Sequence, residues 1–506
     1  VFALAQPLVP GDSLNVTFDV SLRRRAFGNA RAPASLASNG TWIDRRFLPF
    51  VGYQPQVELE SGRERFGLGT RPTLPTAANP GNALNHQQIL GDADLVHADV
   101  TIGTSDDQVA FTAGQLRRTW TENGRRYFRY ETTPPTSVAG GYFSARYAVK
   151  EDRAGAVALR ILHDPREGDN VDRMMRGMKA SLAYYSTQFG SYPDSTLSIV
   201  EVPRYSIFGV ALPTSMAFSE DAFHSRVKDG EIDQPFYGVA HEVAHHWWGG
   251  MANPAPVTGA GLISESLANY SAMMVMEKTF GVDIARRVYA SHMDRYLSGR
   301  AEYSREVPVV NVSGQPYLSY RKGAVAMYTM RDMIGEQAVN GALRRYLAKF
   351  RHKGPPYPTS LELVAELRAA TPDSMQYLIE DLFETVTLYE VKTDSATVVR
   401  AGDGKYQVTL VVDVKKLRAD SVGRQIEVPM NDFVDIGVFG EGKDGALGTP
   451  IYLERRRLRG GRQTLRMMVD REPKRAGVDP YDKTIDRERG DNVRALTVVS
   501  SRVGKF

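Results

Sequence analysis

The sequence contains no cysteine, which excludes disulfides, thiolate metal ligands and a cysteine nucleophile together. Since oxidising and reducing compartments both tolerate such a chain, redox state assigns no location. No run approaches the roughly 18 apolar residues of a membrane-spanning helix. Net charge is small, +4. The basic clusters Arg23-Arg24-Arg25 and Arg455-Arg456-Arg457 fall in strand and turn segments without a long basic stripe or interleaved aromatics. They are expected to be solvated faces, and nucleic acid is not an expected partner. No G-x-S-x-G occurs, so a serine hydrolase has no support, and GEGKDG near residue 440 lacks the complete phosphate-loop pattern. Internal repeats and low-complexity tracts are also missing. The opening VFALAQPLVP has neither an initiating Met nor the basic-then-apolar order of a signal peptide. It is expected to be a cut from something longer or a processed terminus.

What is present divides into three stretches. With 506 residues, 42% apolar and 24% charged, the chain has the composition of a soluble globular protein and a length suited to roughly three domains. Residues 1–150 alternate short apolar runs with turn residues, as in NVTFDVSL, DLVHADVTIG and YFSARYAV, and are expected to form an N-terminal β domain. Over 151–384 the period changes. VDRMMRGMKASLAYYSTQF has helical spacing and stops at Gly190, and TLSIVEV reads as a strand before further helices. Strand grammar returns over 385–506 in YQVTLVVDV, DFVDIGVFG and TLRMMVD. The expectation is a multidomain α+β protein with β domains flanking a mixed middle domain.

The middle stretch holds HEVAHHWWGG, residues 241–250. Asp233-Gln234-Pro235 is a suitable helix start and Gly249-Gly250 a suitable stop. Between them His241 and His245, four apart, share a helix face and can reach one metal ion. Glu242 points about 100° away from His241, near enough to meet water at the metal without being a ligand. His246 lies off the shared face and is expected to pack. Position 248 is Trp and position 251 is Met, so a three-histidine site of the metzincin kind is excluded. Downstream, the first acidic residue is Glu265, on a helical row with Ala268, Ala272 and Met276. Two histidines and one glutamate leave a fourth position open, the catalytic arrangement for one zinc ion.

With these residues in place, the chain resembles the gluzincin metallopeptidases of the membrane alanyl aminopeptidase and leukotriene hydrolase family. FLPFVGYQPQVEL is similar to the family's Leu-Pro-aromatic tract, STQFGSYPDSTLSIVEVP to its FGxYP segment, and HEVAHHWWG to HExxHxW. SYRKGAVAMYTM resembles the helix start that carries the family's catalytic tyrosine, which would be Tyr320. ISESLANYSAMMVMEK is closer still to a bacterial branch fused behind an ABC-type permease. The resemblance implies an N-terminal β-sandwich-like domain, a thermolysin-like zinc domain and a C-terminal β-sandwich domain. It also implies a peptide substrate and a tether to a bacterial membrane, on a side the sequence does not specify.

Two departures bear on activity. The family's third ligand usually follows the second histidine by 19 positions; here Ser264 stands there and Glu265 comes one later, as a one-residue loop insertion would give. The family's G-A-M-E-N segment, whose Glu binds a free amino terminus, is replaced by RYSIFGVALPTSMAFSE. Glu201 and Glu220 are the candidates to replace that Glu in binding substrate. In the expected mechanism Glu242 is the general base, and Tyr320 joins zinc in stabilising the oxyanion. The activity expected is that of an aminopeptidase. The alternatives are an endopeptidase-like enzyme needing no free amine and a weakly catalytic peptide-binding module of a transporter.

Overall fold

The computed structural model describes residues 4, 6–23, 35–37, 39–43, 47, 63, 67, 69, 73–88, 95–133, 141–203, 208–443 and 446–499. Near the N-terminus the strands Gln115–Glu122 and Arg125–Glu131 are joined by Asn123-Gly124, both at positive φ (51° and 70°). A two-residue turn of this kind suits the natural twist of a hairpin. Strand Asp99–Ser105 completes that three-stranded sheet, and a second small sheet pairs Gly40–Ile43, Tyr142–Ala145 and Val109–Phe111. The Leu-Pro-aromatic tract lies, apart from Phe47, outside the described residues.

The sheet that positions the site has five strands in the order Gly209–Leu212, Ser215–Ser219, Thr196–Val202, Val157–His163 and Ala148–Ala154. All seven residues of Thr196–Val202 are buried, as expected for a strand covered on both faces. Side chains alternate along it: Leu197 and Ile199 join the helical core, whereas Val200 and Val202 pack with Trp42, Phe111 and Phe143. The same sheet therefore closes two cores. Strand Ala148–Ala154 runs across the expected 150/151 boundary and pairs wholly within this sheet.

The helical core is built on α1 (Val171–Phe189), α2 (Glu220–His224), α3 (Gln234–Ala244), α4 (Leu267–Phe280), α5 (Val282–Glu302) and α6 (Gly323–Ile334). Helix α1 buries Val171, Met174, Met175, Met178, Leu182, Tyr185 and Phe189, the stripe its spacing predicts. It ends before Gly190, whose φ of 119° favours glycine. The crossing of α1 over α3 is close because Gly177 faces Val239: an added Cβ would sit 3.2 Å from it. Beyond Thr385, Val386–Arg400 and Tyr406–Ala419 pair along most of their length, and Gln425–Val428 and Gly461–Val469 extend their sheet. A second sheet contains Asn431–Phe439, Pro450–Arg459, Arg475–Val478 and Val493–Ala495. Residues from both sheets share one core, among them Val408, Leu410, Ile436 and Val438.

Two sequence expectations differ from the structure. NVTFDVSL, expected as a strand, pairs with no strand among the described residues, and Val16, Phe18 and Val20 are exposed. Alternating polarity makes a segment able to lie on a core but does not supply the neighbouring strand. The helix carrying His241 ends at Ala244, five residues before the expected glycine stop. Trp247 and Trp248 turn inward there, their indole N–H groups donating to the Gly190 carbonyl and to Ser271 Oγ, each at 2.9 Å. Among the described residues no helix is long and apolar enough to cross a membrane.

Candidate active site

Helix α3 begins as its sequence requires. Asp233 caps it, accepting from the Phe236 backbone N–H at 3.0 Å, and Pro235 occupies the first turn. Arg173 Nη1 donates to the other Asp233 oxygen at 2.7 Å and ties α1 to this start. The Tyr185 hydroxyl donates to the Ala240 carbonyl at 2.8 Å, one residue before His241. Histidines 241 and 245 thus project from a helix end held on two sides.

The third metal-donor candidate, Glu265, comes from a π-helical turn, Leu262–Ser266, immediately before α4. Such a turn holds one more residue than an α-helical one and often occurs at functional sites. The sequence expectation is a loop insertion before Glu265; a π-helical turn at Glu265 is a second place that can take up one residue. Tyr320 lies in a second π-helical turn, Tyr317–Lys322, before α6. Ser266 Oγ joins the two turns by donating to the Ser319 carbonyl at 2.7 Å. Gly323 permits this approach, since a Cβ there would collide with the Ser266 side chain. Lys322, fully buried, anchors the second turn through Glu306 Oε1 at 2.7 Å.

His241, His245 and Glu265 are the one group of three or more candidate metal donors among the described residues. The two Nε2 atoms are 3.1 Å apart, and Glu265 Oε2 lies 3.4 Å from each. Tetrahedral zinc with bonds of about 2.0–2.1 Å separates its donors by about 3.3–3.4 Å. The three atoms therefore stand near the spacing that a shared ion imposes. His245 Nδ1 faces the Trp248 carbonyl at 3.1 Å, which favours the proton on Nδ1 and leaves Nε2 free to bind. Glu265 Oε2 is buried and has no hydrogen-bond partner, although two imidazoles face it. A buried acceptor without a donor is costly, and a cation satisfies it. The residues present fit a divalent ion of zinc's preferences.

The electrostatics agree with this arrangement. Burial alone would push His245 down, but the Glu265 charge outweighs it and raises the imidazole to about 9. Burial also pushes Glu265 up, yet His245 and His241 together hold its carboxyl far below the usual range. Without a metal the Glu265 carboxylate and the His245 imidazolium hold each other charged, and a bound cation would take the place of the imidazolium proton. Glu242 is buried and its carboxyl is raised by that burial, against the opposing pull of His241 and His245. It receives the Ala211 backbone N–H, and Gly209 leaves room for it: a Cβ there would stand 2.8 Å from Glu242 Oε1. The Tyr320 ring stacks on His241 at 6.0 Å, and its hydroxyl is directed to Glu265. Burial raises the Tyr320 phenol well above its ordinary value, so the hydroxyl keeps its proton.

These groups line one cleft of about 1620 Å³, bordered by Gly209–Leu212, which among the described residues is an edge strand of its sheet. Glu201 and Glu220 do not line it. Glu201 lies within the sheet, where Oε2 accepts the Asp164 backbone N–H at 2.6 Å, and Glu220 opens α2 beside Asp164 and Glu167. Among the described residues, the acidic groups lining the cleft besides Glu242 and Glu265 are Glu131, Asp194, Asp221 and Glu231. His246 is half-buried against Tyr192 at the wall of the cleft, and burial lowers it to about 3. Sequence spacing gave no sign of Gly209, Ser266 or the Trp248 carbonyl, whose contributions depend on contacts between distant segments.

The class of the central region is indicated by comparison: residues 173–379 match the Peptidase family M1 domain. Every metal-donor candidate, Glu242 and Tyr320 fall inside that match. Over 132 residues the chain is also 30% identical to the Aminopeptidase N of Haemonchus contortus. That similarity covers 22% of this chain and spans 13% of the relative.

Proposed function

We propose that the cleft is the active site of a zinc-dependent peptidase that removes residues from the amino end of peptides. The observation that carries this reading is the meeting of His241, His245 and Glu265 at zinc-like spacing, with Glu242 and Tyr320 in the same cleft. The central match to family M1 and the name of the aminopeptidase relative support the peptidase reading and its direction. A permease partner in the full-length protein belongs to this proposal only as the source of a membrane tether.

Zinc held by the three donors would supply Lewis acidity, polarising a carbonyl and making water easier to ionise. The remaining chemistry belongs to the chain. Glu242 takes a proton from the attacking water and hands it to the amine that leaves as the C–N bond breaks. Its raised carboxyl suits both halves of that transfer. The Tyr320 hydroxyl donates a hydrogen bond to the oxygen that gains charge as the water adds, a contribution worth roughly 3–4 kcal/mol when such a donor is preorganised. The edge strand Gly209–Leu212 offers backbone groups to an extended peptide, which would lie as one more strand.

A second reading, an endopeptidase that ignores the amino terminus, is favoured by one observation: neither Glu201 nor Glu220 reaches the cleft. The test uses one peptide, free and acetylated at its N-terminus, with zinc-loaded protein, chelated protein and Glu242→Gln. Sequential removal of residues from the free form alone supports the aminopeptidase. Cleavage of both forms selects the second reading. Undiminished cleavage by the chelated protein or by Glu242→Gln would overturn the proposed chemistry, and binding without any cleavage would select the transporter module.

A further inference from the structure

Three guanidinium groups line the same cleft without a carboxylate partner among the described residues, Arg226, Arg295 and Arg321, and the last two act electrostatically on each other. Arg321 follows Tyr320 in the π-helical turn, and Arg295 lies on α5. Among the described residues no Asp or Glu stands within ion-pair distance of either, although most buried or half-buried cations of the helical core are paired. Arg300 and Lys322 both meet Glu306, and Arg331 meets Glu277. Arg321 is only partly exposed, and burial together with the Arg295 charge disfavours its cationic form. Arg295 is exposed and Arg321 half-buried, so the cost of holding the charge falls on Arg321, and a bound anion offsets it.

Arg321 is also held in place. Its Nη1 lies 3.5 Å from His292 Nδ1, and His292 Nε2 lies 2.8 Å from the Tyr237 hydroxyl. The Tyr237 hydroxyl donates to Asn269 Oδ1 at 2.7 Å, and Asn269 Nδ2 donates to the Glu265 carbonyl at 2.8 Å. Burial lowers His292 to about 3, with Arg321 and Arg295 adding to the effect, so the ring is neutral. The neutral ring also meets the Tyr320 backbone, so Tyr237, Arg321 and Tyr320 all converge on His292. This network connects Arg321 to the backbone of the third metal-donor candidate and fixes it relative to the reacting centre.

We propose that Arg321 and Arg295 form a carboxylate-binding subsite beside the reacting centre, so that the preferred substrates carry a carboxylate close to the bond that is cut. The proposal rests on the peptidase reading above for its substrate class. The carboxylate is either the C-terminus of a short peptide or the side chain of an Asp or Glu. The planar fork of arginine binds both sources in the same way.

The experiment compares matched short peptides: free acid against C-terminal amide, and Glu against Gln at each position. Cleavage by wild-type protein is measured alongside calorimetric binding to Glu242→Gln. Wild type should prefer the carboxylate member of a pair by roughly 10- to 100-fold in kcat/KM, and binding should show the same order. In Arg321→Gln and, separately, Arg295→Gln, that ratio should fall toward unity while circular dichroism and Tm attest a folded protein. A ratio lost only between acid and amide termini assigns the C-terminus; one lost between Glu and Gln assigns the side chain. Cleavage without carboxylate preference, or a preference unchanged in both arginine variants, would overturn the subsite. Carboxylate-selective binding without cleavage would leave the subsite standing and remove the peptidase reading.

Discussion

Gly323→Ala tests the account of how Glu265 and Tyr320 are brought together. The added methyl would point into the Ser266 side chain, whose Cβ is 2.5 Å from its ideal position. Ser266 cannot swing aside without surrendering its 2.7 Å bond to the Ser319 carbonyl, and both residues are buried. Overpacking costs roughly 1–3 kcal/mol and the displaced hydrogen bond about 1 kcal/mol more, giving a loss of roughly 2–4 kcal/mol. For a cooperative unit the size of the central region this lowers Tm by roughly 4–16 °C. Because the two turns are forced apart, turnover should fall as well: a misplacement of about 1 Å can cost on the order of 100-fold. The assays are thermal unfolding of the metal-free protein, zinc stoichiometry, and kcat/KM on one peptide. Gly341→Ala is the control, since a Cβ there meets only the Arg345 guanidinium at 3.7 Å. It should leave stability unchanged or raise it by up to about 1 kcal/mol. Gly323→Ala with wild-type stability and turnover would refute the argument that this contact sets the site.

Gly209→Ala should reduce both turnover and stability, because the new methyl meets Glu242 Oε1 at 2.8 Å and the buried Phe218 ring at 3.0 Å; an unchanged rate would contradict this. Tyr320→Phe should leave KM nearly unchanged and lower kcat by roughly 100- to 1,000-fold, as steady-state kinetics would read. The Glu201 carboxyl is raised to about 8, chiefly by burial. A folded-state value above the unfolded one means that this contribution to stability is present below about pH 4.5 and is lost as pH rises through about 8. Glu201→Gln should flatten that decline in denaturant midpoints measured across the window; an unchanged slope would assign it elsewhere.

The sequence by itself determined the local elements whose pattern fills a whole face. The apolar stripe of α1, ended by Gly190, and the strand Thr196–Val202 follow from residue period alone. It also placed His241 and His245 on one helix, since a spacing of four needs no knowledge of the rest of the chain. Glu265 was legible as the first acid after that helix, and Tyr320 through the resemblance carried by its neighbours. Tertiary structure decided what depends on contact between distant segments. The twin tryptophans end α3 early because their indole N–H groups find Gly190 and Ser271. Ser266 and Gly323 set two π-helical turns side by side, and Glu201 turns to the Asp164 backbone rather than to the cleft. The unpaired arginines likewise emerge only in three dimensions, because a charge has a partner or lacks one according to which side chains surround it in the fold. Periodicity encodes which face is buried, whereas the identity of the atom opposite each group is set only when the faces meet.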